Sequence, residues 1–265
     1  MKGSNKMKCL NTGKLHGTAV FLDIRNFLGI SGLLQNDEIC KFVINVMEPL
    51  SACVYKHRGR VCQIQGDGIM AVFDSNEVPG HSLSAVECAL EMQSILDKLN
   101  PLDMAGVRIP LKARIGVCCG DMYACYLNIK DRKEYLILGK SVNLASRYQN
   151  INKHYNTKIL VDETVFSYIK HVIITRKLDL ISIEGCCEGK QLYEVLHDQR
   201  SDKEKQRVKI HYEKGIICYL QENYDDAIHW FSAVAEDTAS YLMMERCHEK
   251  KFLEGLKRDE EKQNK

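Results

Sequence analysis

Gly59-Arg60-Val61-Cys62-Gln63-Ile64-Gln65-Gly66-Asp67-Gly68-Ile69-Met70-Ala71-Val72-Phe73 constrains this chain more than any other stretch. It reads as two short strands, roughly 60–65 and 69–74, joined by a tight turn. Gly66 and Gly68 supply positive-φ or sterically open positions, and Asp67 sits between them at the tip. A carboxylate on a glycine-flanked tip is exposed, can bind a hard cation, and leaves room for a phosphate chain. Asp also favours turns for purely local reasons. This stretch alone leaves both readings open.

The rest of the chain narrows them. Its 265 residues suffice for one sizeable core plus an appendage. With 45% hydrophobic and 27% charged residues it has the composition of an ordinary soluble protein. A formal charge of +2 gives no reason to expect nucleic acid or an anionic membrane as partner. The twelve cysteines are scattered, with adjacent pairs at Cys118-Cys119 and Cys186-Cys187 and no CxxC. No signal-peptide pattern opens the chain, because Lys2, Asn5, Lys6 and Lys8 interrupt any apolar run. The expectation is free thiols in a reducing cytoplasm, serving as small core hydrophobes. The linear spacing argues against zinc. No apolar run approaches bilayer length, so the expectation is a chain without a membrane sensor.

In chain order, residues 1–15 are polar and basic and read as a loose arm. Thr18–Arg25 is a nearly continuous apolar run, a buried central strand. Asp23 interrupts it near its end, where a charge needs a partner or a metal. Ile39, Phe42, Val43, Val46, Met47, Leu50 and Val54 recur at the helical period, with Pro49 expected to kink or locally disturb that helix. After the hairpin, His81–Leu99 reads as a second amphipathic helix, and Pro101 and Pro110 bracket a loop. Leu111–Cys119 and Met122–Ile129 read as a hairpin about Gly120-Asp121. Tyr135–Leu138 is a short strand and Gly139–Asn152 a helix. Lys158–Val161, Val172–Ile183 and Gln191–Leu196 complete the strands. This order is the split βαβ arrangement of an α+β, ferredoxin-like fold with additions.

The polar run His197–Arg207 marks a boundary. Beyond it, Tyr212, Gly215, Tyr219, Tyr224, Ala227, Phe231 and Ala235 match one tetratricopeptide-like (TPR-like) helical hairpin, followed by a helix from about Ser240 to Leu256. A lone repeat cannot bury its own face, so this all-α tail should pack on the main domain or on another subunit.

Asp23 and Asp67 then form the candidate constellation. Neighbouring elements of a ferredoxin-like sheet would let the two carboxylates share a pair of divalent ions, an arrangement suited to phosphoryl or nucleotidyl transfer. A buried polar Asp23 and an unrelated turn Asp67 remain the simpler alternative.

Four ordered motifs resemble class III nucleotidyl cyclases: Phe21-Leu22-Asp23-Ile24-Arg25-Asn26-Phe27; Gly59-Arg60 leading into Gly66–Phe73; Ile115-Gly116-Val117; and Glu134–Arg147. The resemblance runs from about Thr18 to Leu196. With the basic start and the charged boundary run, the chain divides into a loose arm at 1–15, a domain over 16–200 that the resemblance makes a cyclase domain, and a helical tail over 201–265. The resemblance also implies conversion of a nucleoside triphosphate, ATP by default, to the 3′,5′-cyclic monophosphate and pyrophosphate. Two Mg²⁺ or Mn²⁺ ions would act in each active site, built at the interface of an antiparallel homodimer. Asp23 and Asp67 match the metal-binding aspartates, with the backbone carbonyl of Ile24 helping to hold one ion. Asn143 and Arg147 match the pair that orients the ribose and stabilises charge on the reacting phosphate. Four residues apart on a helix, these two project from one face.

The base-reading positions depart from the family. Adenylyl cyclases usually carry Lys with Asp, Thr or Ser there, and guanylyl cyclases Glu with Cys. Here they are Gln63 and Leu136. Gln63 can donate and accept; Leu136 can do neither. A pyrimidine cyclase, making cyclic UMP or CMP as some bacterial relatives do in antiphage signalling, is therefore an alternative to ATP. A non-catalytic nucleotide-binding scaffold is another. Where the family often has a phosphate-binding Lys, Glu184-Gly185-Cys186 offers a cysteine, with Lys190 nearby as a candidate substitute. Lys140 adds positive charge near the site. The helical tail is a candidate docking point for a protein partner.

Overall fold

The computed structural model of the protein describes residues 12–104, 106–130, 132–183, 189–198 and 200–263. The chain opens with β1 (Gly13–Ile24), α1 (Phe27–Ser31) and α2 (Asn36–Lys56), then forms β2 (Arg60–Gln65), β3 (Gly68–Asp74) and α3 (His81–Leu99). A small hairpin of β4 (Leu102–Met104) and β5 (Val107–Ile109) precedes β6 (Ala113–Ile129), β7 (Arg132–Leu138) and α4 (Lys140–Tyr155). Next come β8 (Ile159–Val161), α5 (Glu163–Ile169), β9 (Thr175–Ile181) and β10 (Lys190–Val195). Three helices close the chain: α6 (Asp202–Leu220), α7 (Tyr224–Ser232) and α8 (Thr238–Gln263). Among the described residues no helix is long and apolar enough to cross a membrane.

The expected α+β fold is present. The main sheet runs β2-β3-β1-β6-β8-β10-β9, with β7 paired to the far part of β6. Among the described residues, only the β6–β8 pairing is parallel. Side chains alternate across the strands and divide the core in two. Val20, Leu22 and Ile24 of β1 face Phe42 and Val46 of α2, Val86 and Met92 of α3, and Val165 of α5. Leu15 and Ala19, on the other face of β1, join Ala145 and Tyr148 of α4 and the tail residues Tyr212, Phe231 and Met243.

Several elements differ from the sequence expectation. Residues 111–129 do not turn at Gly120-Asp121; β6 runs straight through, with Gly120 opposite Gly17 and Asp121 opposite His16. The reason is tertiary. β1 is 12 residues long, starting at Gly13 within the stretch read as an arm, and needs a partner along its whole length. The chain reverses ten residues later, between Ile129 and Arg132, with Lys130 in the left-handed region at φ 47°. α2 continues through Pro49 as one helical segment. The loop bracketed by Pro101 and Pro110 holds the β4–β5 hairpin. The first part of the stretch read as a strand over 172–183 is loop, and β9 starts at Thr175. α5 has no counterpart in the sequence reading; Asp162 caps it, accepting from the Val165 amide at 2.9 Å.

The tail packs on the sheet, as a face that cannot bury itself requires. Arg176 of β9 is buried. Its Nε donates to Glu194 Oε2 of β10 at 2.7 Å, and its Nη1 donates to Asp237 Oδ2 at 2.7 Å. Asp237 precedes α8 and also accepts from the Ser240 amide at 3.0 Å, so one carboxylate joins the sheet to the start of that helix. The Arg176 guanidinium lies 4.2 Å from the Tyr212 ring centroid, and the Tyr212 hydroxyl donates to the Leu178 carbonyl at 2.9 Å. Gly215 of α6 lies so close to the Phe231 ring of α7 that a β-carbon would come within 2.6 Å of it.

Candidate active site

Asp23 is the last residue but one of β1, and in the β1–β3 ladder it lies opposite Gly68. Asp67 immediately precedes Gly68, in a turn where Gly66 takes φ 58°. The ladder register thus brings together the two carboxylates that the sequence separates by two helices. They lie close enough for Asp67 to act on the Asp23 carboxyl. Burial, then the charge and hydrogen bond of Asp67, push the Asp23 carboxyl up to about 6; Arg114 and Gln149 oppose that shift. Two crowded carboxylates, one of them reluctant to ionise, are a fit for an oxygen-preferring divalent cation, which would relieve their repulsion. Ile24 follows on β1 with its side chain buried in the core and its backbone opposite Ala113.

Two residues that sequence reasoning did not single out complete this corner. Arg114 of β6 is directly across the ladder from Asp23. Its Nε is buried and has no hydrogen-bond partner, and its charge acts on the Asp23 carboxyl. Gln149 of α4 donates to Asp23 Oδ2 at 3.4 Å. A clue to Arg114 was available: it is a charge two residues before Gly116, at the head of the apolar run Ile115–Cys119.

α4 is held against the sheet by Gly116. A β-carbon there would sit 2.1 Å from the Ala145 carbonyl oxygen and 2.5 Å from the Gln149 nitrogen, so the helix backbone lies directly on β6. Asn143 and Arg147 are both exposed on α4, whereas Gln149 is buried. At about 100° per residue, Gln149 points roughly 200° away from Arg147. The helix therefore meets its own Asp23 with one face and presents Asn143 and Arg147 on the other. Arg147 borders an open groove of about 590 Å³ between α4, the end of β9 and α8, shared with Asn150, His154, Ile183 and Arg246.

The remaining expected positions are more dispersed. Gln63 is exposed on β2, just past a register shift between Val61 and Gln63, and its amide donates to Gln65 Oε1 at 3.4 Å. Leu136 is half-buried on β7 opposite Cys125. Lys140 is exposed at the first position of α4, and Lys190 begins β10 opposite Ile181. The Glu184-Gly185-Cys186 position lies outside the described residues.

An α+β sheet with paired acids at the β1 and β2–β3 tips, crossed by an Asn/Arg-bearing helix, defines a class of protein that comparison makes specific. The family model described as the adenylate and guanylate cyclase catalytic domain matches residues 15–198, and the chain belongs to that family. It is 26% identical over 240 residues to the terminal-differentiation-specific adenylate cyclase of Dictyostelium discoideum, covering 87% of this chain and 11% of that protein. It is 28% identical over 180 residues to adenylate cyclase 1 of Rhizobium meliloti, covering 68% of this chain and 27% of the relative. The chain thus spans a small part of these relatives' length. Among solved structures, the adenylyl cyclase CyaB from P. aeruginosa superposes with a TM-score of 0.65 at 27% identity, covering 72% of this chain and 98% of that one.

Proposed function

We propose that this chain is a nucleotidyl cyclase that converts ATP to 3′,5′-cyclic AMP and pyrophosphate in a homodimer. The observation that carries the reading is the pairing of Asp23 with Asp67 within the family's fold. These carboxylates, with the Ile24 carbonyl, would hold two Mg²⁺ or Mn²⁺ ions. Bound there, the ions would favour the ribose 3′-alkoxide and neutralise charge on the triphosphate. In the reaction the 3′-hydroxyl gives its proton to solvent and its oxygen forms a bond to the α-phosphorus as the bond to the pyrophosphate oxygen breaks. Arg147, a permanently charged donor, stabilises the charge that develops on the α-phosphate, and Asn143 holds the ribose. Arg114, across the ladder from Asp23 and with its Nε unpartnered, would add positive charge on the triphosphate side of the carboxylates.

The two faces of α4 support a shared site. Because Asn143 and Arg147 point away from the Asp23 of their own chain, they would complete the site of a partner chain. Two-fold symmetry then yields two equivalent sites. Gln63 would read the base together with Leu136, and Lys140 and Lys190 would lie along the phosphates. In the tail, we read α6 and α7 as one TPR-like hairpin. The exposed Phe252, Leu253 and Leu256 near the end of α8 suit an apolar protein partner.

A second reading, a UTP or CTP cyclase, is favoured by Leu136 alone. An adenine amino group facing it dry and unpaired would cost roughly 1–3 kcal/mol. One experiment decides: purified protein is incubated with Mn²⁺ or Mg²⁺ and each of the four ribonucleoside triphosphates, and products are identified by mass. Cyclic AMP from ATP is expected. Cyclic UMP or CMP as the main product moves the assignment to the pyrimidine reading. No cyclic product from an intact dimer overturns the enzyme and leaves a nucleotide-binding scaffold.

A further inference from the structure

We propose that His16, His81 and Cys119 form a binding site for one divalent cation of the zinc class, separate from the carboxylate pair. The three come from β1, the first position of α3 and the middle of β6. Their potential ligand atoms lie within 4.8 Å of one another. No linear spacing announces such a site, because sheet register and helix docking assemble it.

The geometry suits a thiolate–imidazole site. A tetrahedral ion with bonds of about 2.0 Å to nitrogen and 2.3 Å to sulfur holds those two atoms roughly 3.5 Å apart. His16 Nε2 and Cys119 Sγ stand 3.6 Å apart. Metal-bound histidines characteristically donate their other ring N–H to a carboxylate or another acceptor, which sets the tautomer and the ring orientation. His16 has that arrangement, its Nδ1 lying 2.9 Å from Asp121 Oδ1. Asp121 is itself anchored by Lys14. The His81 ring is oriented by a 2.8 Å hydrogen bond between its Nδ1 and Thr18 Oγ1. The Cys119 backbone is fixed by donation from its amide to Asp162 Oδ2 at 3.2 Å.

The chemistry selects the metal. Two imidazoles and a thiolate favour zinc and its neighbours over Mg²⁺ or Ca²⁺. Burial, then His16, lower the proton affinity of the His81 ring. Burial raises the Cys119 thiol, and the hydroxyls of Ser82 and Thr18 oppose that shift. His81 and Cys119 are buried while His16 is exposed, so a cation reaches the site from the His16 side with its fourth position open to water.

The site is remote from the active site in two senses. His16 and Thr18 lie on the face of β1 that meets α3, whereas Asp23 lies on the α4 face. At about 3.3 Å per residue, His16 and Asp23 are roughly 23 Å apart along the strand. Occupancy would staple β1, β6 and the start of α3 without competing for the substrate metals.

Cobalt is the probe. Full-length protein stripped with a chelator is titrated with Co²⁺, and the sulfur-to-cobalt charge-transfer absorption is recorded. The Asp23–Asp67 pair offers only oxygen ligands and gives no such band, so this readout is independent of the cyclase reading. One cobalt per chain with a thiolate band, displaced by Zn²⁺, is expected. Cys119→Ser should abolish the band and Cys125→Ser should keep it. His16→Ala, at an exposed position, should weaken binding at least tenfold with the fold retained by circular dichroism, and Asp121→Asn should weaken it roughly 10–100-fold. A wild-type protein with no thiolate band, or a band unmoved by His16→Ala, overturns the proposal.

Discussion

Asp67 acts on the Asp23 carboxyl because Asp23 pairs with Gly68, the residue after Asp67, in the β1–β3 ladder. A shift of one residue in that register would turn Asp23 to the opposite face of the sheet, into the apolar core beneath α2 and α3. The candidate metal pair thus depends on the same hydrogen bonds that hold the sheet together.

This crowding has a stability consequence for the metal-free protein. The Asp23 carboxyl is pushed up to about 6 in the folded chain, from an ordinary 3.8. Between those values the folded state binds more protons than the unfolded state, so stability falls as pH rises from about 4 to about 6 and stays reduced above that. Solvent screening at this half-buried site keeps the penalty below the roughly 3 kcal/mol that the whole shift would carry. Asp23→Asn should therefore raise the melting temperature of metal-free protein at pH 7, with the gain fading toward pH 4, while turnover is lost. Thermal melts at the two pH values check this; an Asp23→Asn variant that melts lower at pH 7 contradicts it.

Sharing of the site between chains is tested by mixing. Asp67→Ala and Arg147→Ala should each be inactive and folded. If their subunits exchange at random, half of the dimers are mixed and each has one intact site, restoring about a quarter of wild-type sites. Turnover of the mixture, with exchange verified by differently tagged subunits, is the measurement. Demonstrated exchange without activity excludes the shared site.

Gly116 positions a helix it does not belong to. A β-carbon at this residue would collide with the Ala145 carbonyl and the Gln149 nitrogen, so Gly116→Ala must push α4 off the sheet. The expected destabilisation is about 1–3 kcal/mol. A displacement of about 1 Å at Asn143 and Arg147 is expected to cost on the order of 10²-fold in turnover. Circular dichroism, denaturant titration and rate measurements separate the two effects.

The tail should behave as part of the folded body. Asp237→Ala would leave the buried Arg176 with Glu194 as its remaining buried carboxylate partner and remove the carboxylate that caps α8. Breaking such a buried network by removing one partner costs roughly 3–5 kcal/mol. Urea denaturation should show that loss. Removing residues 208–265 should be more damaging still, because it uncovers the apolar surface beneath Tyr212 and Phe231. A truncated chain as stable as the whole one would contradict this picture.

Local chemistry was legible without a structure wherever the determinant is short-range. The Gly66-Asp67-Gly68 turn, the helical stripe of α2, the limits of α3, and the Asn143/Arg147 spacing all follow from backbone preference and periodicity over a few residues. Pairing was not. Gly120-Asp121 has the composition of a turn, but the length of β1 keeps β6 extended through it. Arg114 and Gln149 gain meaning only beside Asp23, and His16, His81 and Cys119 converge from residues 65 and 38 positions apart in the chain. The sequence by itself determined the elements and the reactive groups they carry. The tertiary structure decided which groups meet, because ladder register and helix docking answer to burial across the whole core.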